Sequence, residues 1–220
     1  MKRLIGLFAV LMMIAASTVS GYAQSANTVR IMHASPDAPA VDIFVNGSAV
    51  LTNVPFFALS DRLSLPDGTY DVAIAPAGAG KAAAVWSGPL SVSGGLDATI
   101  VALNSVKDLT VKVYPESRSA IPEGQARVRV LHASPDAPAV DIKLAGTSTV
   151  VVKGASFTDA ATVEVPAGIY QFDISPAGSS QVVFTTPKLR FENGWGYTLV
   201  ATGFLSQNFW VQSRVDRITR

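Results

Sequence analysis

"HASPDAPAVDI" occupies His33–Ile43 and returns letter for letter as His132–Ile142, 99 residues later. The chain's only two histidines open the two copies. Working outward, "VRIMHASPDAPAVDIFVNG" (Val29–Gly47) matches "VRVLHASPDAPAVDIKLAG" (Val128–Gly146). "LPDGTYDVAIAPAG" (Leu65–Gly78) then matches "VPAGIYQFDISPAG" (Val165–Gly178), and "LDATIVAL" (Leu96–Leu103) matches "WGYTLVAT" (Trp195–Thr202). The offset moves between 99 and 100, slips that the sequence assigns to loops. A period near 100 exceeds the roughly 20–50 residues of solenoid repeats, so each unit is a whole domain.

Within a unit the pattern is all β. Segments such as "VRIMH", "VDIFVNG", "TYDVAIAP" and "LTVKVY" are short, β-branched and often alternating. Proline, glycine and aspartate turns separate them. About seven or eight strands in about 95 residues predict an immunoglobulin-like or transthyretin-like β-sandwich, with a barrel as the alternative. The expected division is a domain over 27–114, a linker over 115–126 and a second domain over 127–220.

The N-terminal stretch has the plan of a secretory signal: Lys2 and Arg3, an apolar run over Leu4–Ala16, then small residues with a cut expected after Ala23. That run falls short of the roughly 20 residues that span a bilayer, so no membrane span is expected after cleavage. No hydrophobic tail or wall-sorting motif precedes Arg220, and a released or non-covalently held product is expected. Loss of residues 1–23 leaves 15 basic against 16 acidic residues, too balanced a charge for nucleic acid or anionic lipid. The absence of cysteine excludes disulfides, thiolate metal sites and cysteine nucleophiles. Core burial must hold the fold, and with 15% charged residues it can.

The repeated phrase reads as a stiff corner. Pro36 suits the second position of a turn, Asp37 can accept from backbone N–H groups beyond it, and Pro39 keeps Ala38 extended. Pro135, Asp136 and Pro138 repeat this. Alternation turns Val41, Ile43 and Val45 inward and sets Asp42, like Asp141, outward or at the sandwich edge. His33 and His132 end core-facing rows. The cluster His33, Asp37, Asp42, with His132, Asp136, Asp141, has two readings. One is a lock in which the imidazole satisfies turn groups; the other is a divalent metal site. One histidine and two carboxylates are few for zinc, and calcium needs more oxygens, which favours the lock. Ser35 and Ser134 lie two residues from the histidines but lack the glycine elbow of a hydrolase nucleophile. Tyr70 and Tyr170, entering strands after turns, read as structural tyrosine corners.

The phrase, followed by the Tyr and Pro-Ala-Gly turns in order, resembles the bacterial family known as domain of unknown function 4397, in two copies over Asn27–Tyr114 and Gln125–Arg220. Ala167 departs from the first copy's Asp67. The resemblance implies an exported or cell-envelope β-sandwich module without assigned activity. The expected function is non-enzymatic binding or scaffolding, secreted, periplasmic or at the cell surface, with no cofactor. Its partner would be an envelope or matrix polymer or another surface protein. The alternatives are a metal-binding or hydrolytic use of the His–Asp corner, and a structural component assembling through its edge strands.

Overall fold

The computed structural model describes residues 26–216; the expected secretory signal, 1–23, lies outside them. The first half forms β1 (Asn27–Ala34), β2 (Val41–Val45), β3 (Ser48–Val54), β4 (Leu63–Leu65), β5 (Gly68–Pro76), β6 (Trp86–Val92), β7 (Asp97–Leu103) and β8 (Thr110–Pro115). One sheet has the order β4-β1-β7-β8 and the other β3-β2-β5-β6. Val41, Ile43, Val72 and Ile74 of the second sheet pack on Ile31, Ala102 and Val111 of the first. The protein is an all-β sandwich structure, and the barrel alternative falls away because the sheets remain separate.

The second half repeats this plan with β9 (Gln125–His132), β10 (Val140–Leu144), β11 (Val150–Ala155), β12 (Ala160–Pro166), β13 (Gly168–Tyr170), β14 (Phe172–Pro176), β15 (Phe184–Thr185), β16 (Leu189–Phe191), β17 (Gly196–Thr202) and β18 (Trp210–Asp216). Its sheets run β12-β9-β17-β18 and β11-β10-β14-β15, with β13-β16 as a separate ribbon. In each half the first long strand pairs in parallel with the penultimate one, β1 with β7 and β9 with β17. Tyr70 and Tyr170 donate from Oη to Pro66 O and Pro166 O at 2.9 and 2.8 Å, the geometry of a tyrosine corner.

The slip between the Pro-Ala-Gly turns and the penultimate strands is the net of two changes, a connection two residues shorter in the second half and one residue added within its ladder. Tyr70 faces Leu90 and Ile74 faces Trp86, whereas Tyr170 faces Leu189 and Ile174 faces Phe184. The second ladder must absorb one extra residue between those pairs. Thr186 does so: its N–H donates to Phe172 O and its Oγ1 accepts from Phe172 N, both at 2.9 Å. Pro187, with no N–H to donate, follows it, and the ribbon β13-β16 splits from its sheet there.

The two halves share a buried layer. On β1 the residues turned away from the sandwich core are Arg30, Met32 and Ala34, on β7 Thr99, Val101 and Leu103. Met32, Ala34, Val101 and Leu103 pack with Leu131, Ala133 and Val200 of the second half and with Phe57 in one cluster. The contacts around it are reciprocal. Tyr114 stands opposite Thr99 on β8, as Arg214 stands opposite Thr198 on β18. Tyr114 Oη donates to Thr158 O at 2.9 Å, and Arg214 donates to Phe57 O while its guanidinium lies 4.8 Å from the Phe57 ring centroid. Phe57 and Thr158 are themselves equivalents, both at positive φ, both donating N–H to the carbonyl of the phrase's histidine. Equivalent residues of the two halves therefore meet across an axis of approximate two-fold symmetry.

An ion network closes one end of that layer. Glu116 accepts from Arg30 at 2.7 Å, Arg62 at 3.0 Å and Arg129 at 3.1 Å. Arg129 also reaches Thr99 and Thr198. Glu116 belongs to the segment expected to be a linker, which also buries Ile121.

Candidate functional site

The histidine and both aspartates of the repeated phrase are each tied to a different piece of backbone. The corner itself follows from local chemistry: β1 stops at Ala34, Pro36 and Asp37 form a turn, and Pro39 holds the chain extended into β2. His33, buried to 2% exposure at the end of the row Val29–Ile31–His33, puts Nε2 3.1 Å from Pro39 O. A carbonyl only accepts, so Nε2 carries the proton. Nδ1 then accepts Ser35 N–H at 3.3 Å. His132 repeats the contact to Pro138 O at 3.2 Å, and its Nδ1 has no hydrogen-bond partner. The rings of Phe56 and Phe157 stand edge-on to the two imidazoles at 6.0 and 6.4 Å.

The carboxylates reach further. Asp37 Oδ1 accepts from Val106 N at 2.8 Å, and Asp136 accepts from Leu205 N at 2.7 Å and Ser206 N at 3.3 Å, so each holds the loop after the penultimate strand. Asp42 accepts from Asn53 N and Gly78 N, both at 2.8 Å. Asp141 accepts from Gly154 N at 2.8 Å and Gly178 N at 2.9 Å. These two aspartates add to the sequence expectation. They occupy the outer row of their strands, yet they are buried at 7% and 5% exposure beneath the loops they bind. The reason lies in β3 and β11, where a register shift against β2 and β10 leaves a bulge N–H without a ladder partner. Asn53, Gly154, Gly78 and Gly178 all have positive φ, and one carboxylate satisfies two such N–H groups in each copy.

Electrostatics agree with this geometry. Burial holds both imidazoles below their ordinary pKa, against the opposing pull of the Pro39 and Pro138 carbonyls. The N–H groups of Asn53 and Gly78 lower Asp42, and those of Gly178 and Gly154 lower Asp141. At Asp136 desolvation pushes upward, but the Leu205 and Ser206 hydrogen bonds outweigh it. The histidines carry a pH prediction. Below pH 6.5, the ordinary value, the unfolded chain takes up protons that the buried rings resist, so stability falls as pH drops. The urea midpoint should decrease between about pH 7.5 and 5.5, and a His33→Gln plus His132→Gln variant should flatten that slope.

The pieces do not assemble into a reactive centre. Ser35 Oγ contacts Asp37, Ser134 Oγ donates to Gly203 O at 2.7 Å, and neither pairs with its imidazole. Among the described residues, no three or more His, Asp or Glu side chains converge to hold a metal ion. Beside the second corner, His132, Ala137 and Pro138 wall a cavity of about 230 Å³. Its other walls are mostly aliphatic, with Lys153 and Asp159 as its exposed charged residues. Sequence reasoning missed the partners of the phrase because they are backbone groups of distant loops. It also missed Phe56 and Phe157; a bulky aromatic at matching places after β3 and β11 was the available signal.

Among proteins of curated function, none matches the chain. Among solved structures, the Bacillus anthracis TIE protein is similar at 15% identity and a TM-score of 0.27, over 82% of this chain and 34% of its own. The chain thus spans about a third of that protein's length. A family 41 carbohydrate-binding module from streptococcal virulence factors, described for α-glucan recognition, is similar at 14% identity and a TM-score of 0.26, over 80% of this chain and 94% of its own. The family 26 module of Eubacterium rectale Amy13K, solved with maltoheptaose, gives 10% identity, a TM-score of 0.28, and coverage of 88% and 100%. These are remote likenesses, and the ligands of those proteins are their own. The family described as a domain of unknown function, DUF4397, matches residues 27–143, from the start of β1 through both phrases and into β10. Spanning more than half of the chain, that match makes the protein a member of the DUF4397 family.

Proposed function

We propose that the protein is a non-enzymatic binding and scaffold module that works outside the cytoplasm, with an envelope or matrix polymer as its partner. In this reading residues 1–23 are an export signal, 27–114 and 127–220 are two copies of the family domain, and 115–126 joins them. The repeated phrase is a corner lock in both copies. The observation that carries the reading is the fate of the phrase's polar groups: imidazole and carboxylates alike are spent on backbone partners of the same fold. No serine hydroxyl pairs with either imidazole, and the one open nitrogen, His132 Nδ1, has no group of carboxylates beside it among the described residues with which to hold a metal ion. A rigid pair of sandwiches then offers its outer surfaces for binding.

The test is to incubate the mature chain with insoluble peptidoglycan and with insoluble glucan, following both sedimentation and release of soluble products. Co-sedimentation without products, unchanged by chelator, is expected. Product release abolished by His33→Ala plus His132→Ala would overturn the reading in favour of a hydrolase. So would a melting temperature that rises with calcium, zinc, magnesium or manganese only while both histidines are present, since native-state ligands stabilise by mass action.

A further inference from the structure

The two sandwiches share a plan but leave it open at different ends. Between the sheets of the first lies a cavity of about 190 Å³, walled by Val29, Ile31, Val45, Leu90 and Ile100 among others. Its lining contains no charged residue. The rim lies between β3 and β4, where Val50 is 45% exposed and Ser64 faces solvent. At the same end of the second sandwich, bounded by the equivalent Val128, Val130, Leu199 and Val211, the space is about 30 Å³, and the larger space of about 230 Å³ between its sheets lies at the other end, beside the His132 corner.

The register identifies what fills that end of the second. Val72 stands opposite Val45 as Phe172 stands opposite Leu144. Val92 stands opposite Gly68 as Phe191 stands opposite Gly168, and Ala98 lies beside Val29 as Tyr197 lies beside Val128. In the second sandwich the three rings pack together, Phe172 6.3 Å and Tyr197 4.8 Å from Phe191. In the first, two valines and an alanine take their places and the volume stays open.

We propose that the first sandwich binds the alkyl or acyl chain of a small amphiphile, inserted between the sheets through the gap between β3 and β4. The size sets the ligand. An apolar cavity of about 150 Å³ stays dry and accepts benzene, so this one admits a chain of about seven or eight carbons. The absence of any charge in the lining sets the orientation: a polar head has no partner inside and remains outside at Ser64. Flexible aliphatic walls suit a chain better than a fixed polar group would. The site is separate from the outer surfaces invoked for polymer binding, and each proposal can fail without the other.

The test uses the protein with labelled Val, Leu and Ile methyl groups, titrated with octanoate below its micelle concentration and separately with benzene. Saturable octanoate shifts confined to methyls such as Val45, Leu63, Leu90 and Ile100 are expected. Val72→Phe, which installs the second sandwich's residue, should weaken binding at least tenfold while keeping the melting temperature. Phe172→Val should create a second octanoate site, with new shifts at Val128 and Leu199, whether or not Val72→Phe folds. Octanoate binding unchanged by Val72→Phe, no second site in Phe172→Val, shifts only around His132, or binding of benzene without octanoate would each overturn the proposal.

Discussion

Val200→Asp is expected to separate the thermal unfolding of the protein into two transitions. Val200 is fully buried, at 0% exposure, in the layer where Met32, Ala34, Val101 and Leu103 of the first sandwich meet Leu131 and Ala133 of the second. A carboxylate there has no cation within the apolar cluster and must either ionise unpaired or remain protonated, at a cost of about 4 kcal/mol. Opening the layer is cheaper than burying the charge, so the sandwiches lose their mutual support and melt separately. Calorimetry of the variant beside the wild type reads this directly. One cooperative transition at the wild-type temperature would show that the layer does not couple the halves.

Glu116→Gln should be nearly as costly. Glu116 has an 11% exposed side chain and faces Arg30, Arg62 and Arg129, with Thr99 donating as well. Burial alone would raise its pKa; the Thr99 and Arg30 hydrogen bonds and the charges of Arg30 and Arg129 instead hold it at about 2, down from 4.5. Removing the charge takes away the carboxylate that the nearly buried Arg30 and Arg129 share, a loss of up to roughly 3–5 kcal/mol. The same group sets an acid limit. A folded-state pKa below the unfolded value contributes stability that is complete above pH 4.5 and disappears as pH falls toward 2. That shift is worth about 3 kcal/mol, to be read as the part of the urea-derived stability difference between pH 5.5 and 2.5 that Glu116→Gln removes, since Asp42, Asp136 and Asp141 titrate low as well. A Glu116→Gln variant with wild-type stability and an unchanged acid slope would remove the network from the account.

The strands were legible because proline, glycine and aspartate punctuate short β-branched runs, and because the repeat let each copy check the other. The inward rows Val29–Ile31–His33 and Val41–Ile43–Val45 follow from alternation alone. Alternation misled at Asp42 and Asp141, since a residue on the outer row is exposed only if nothing folds over it. Here two loops do, drawn by the carboxylate itself. The layer between the halves also left a trace that alternation could have read: Met32, Ala34, Val101 and Leu103 are apolar on the side away from the core. The network around Glu116 left none, because Arg30, Thr99 and Arg129 approach it from three separate strands and Arg62 from the loop before β4. The bulge at Thr186 was hidden because the connection before it is two residues shorter in the second half, so that sliding the sequences past each other shows only the net loss of one.

The reciprocal contacts of Tyr114 with Thr158 and of Arg214 with Phe57 carry a consequence for how such chains can grow. A face that pairs with its own copy has a valence of one. Once Met32 and Val101 have met Leu131 and Val200, neither sandwich has an equivalent face left to offer. A third copy added to the chain would leave its own apolar row bare, a sticky patch in water. Duplication in this architecture therefore favours even numbers, and an odd unit must trade its outward Met, Val and Leu for polar residues before it can stand alone.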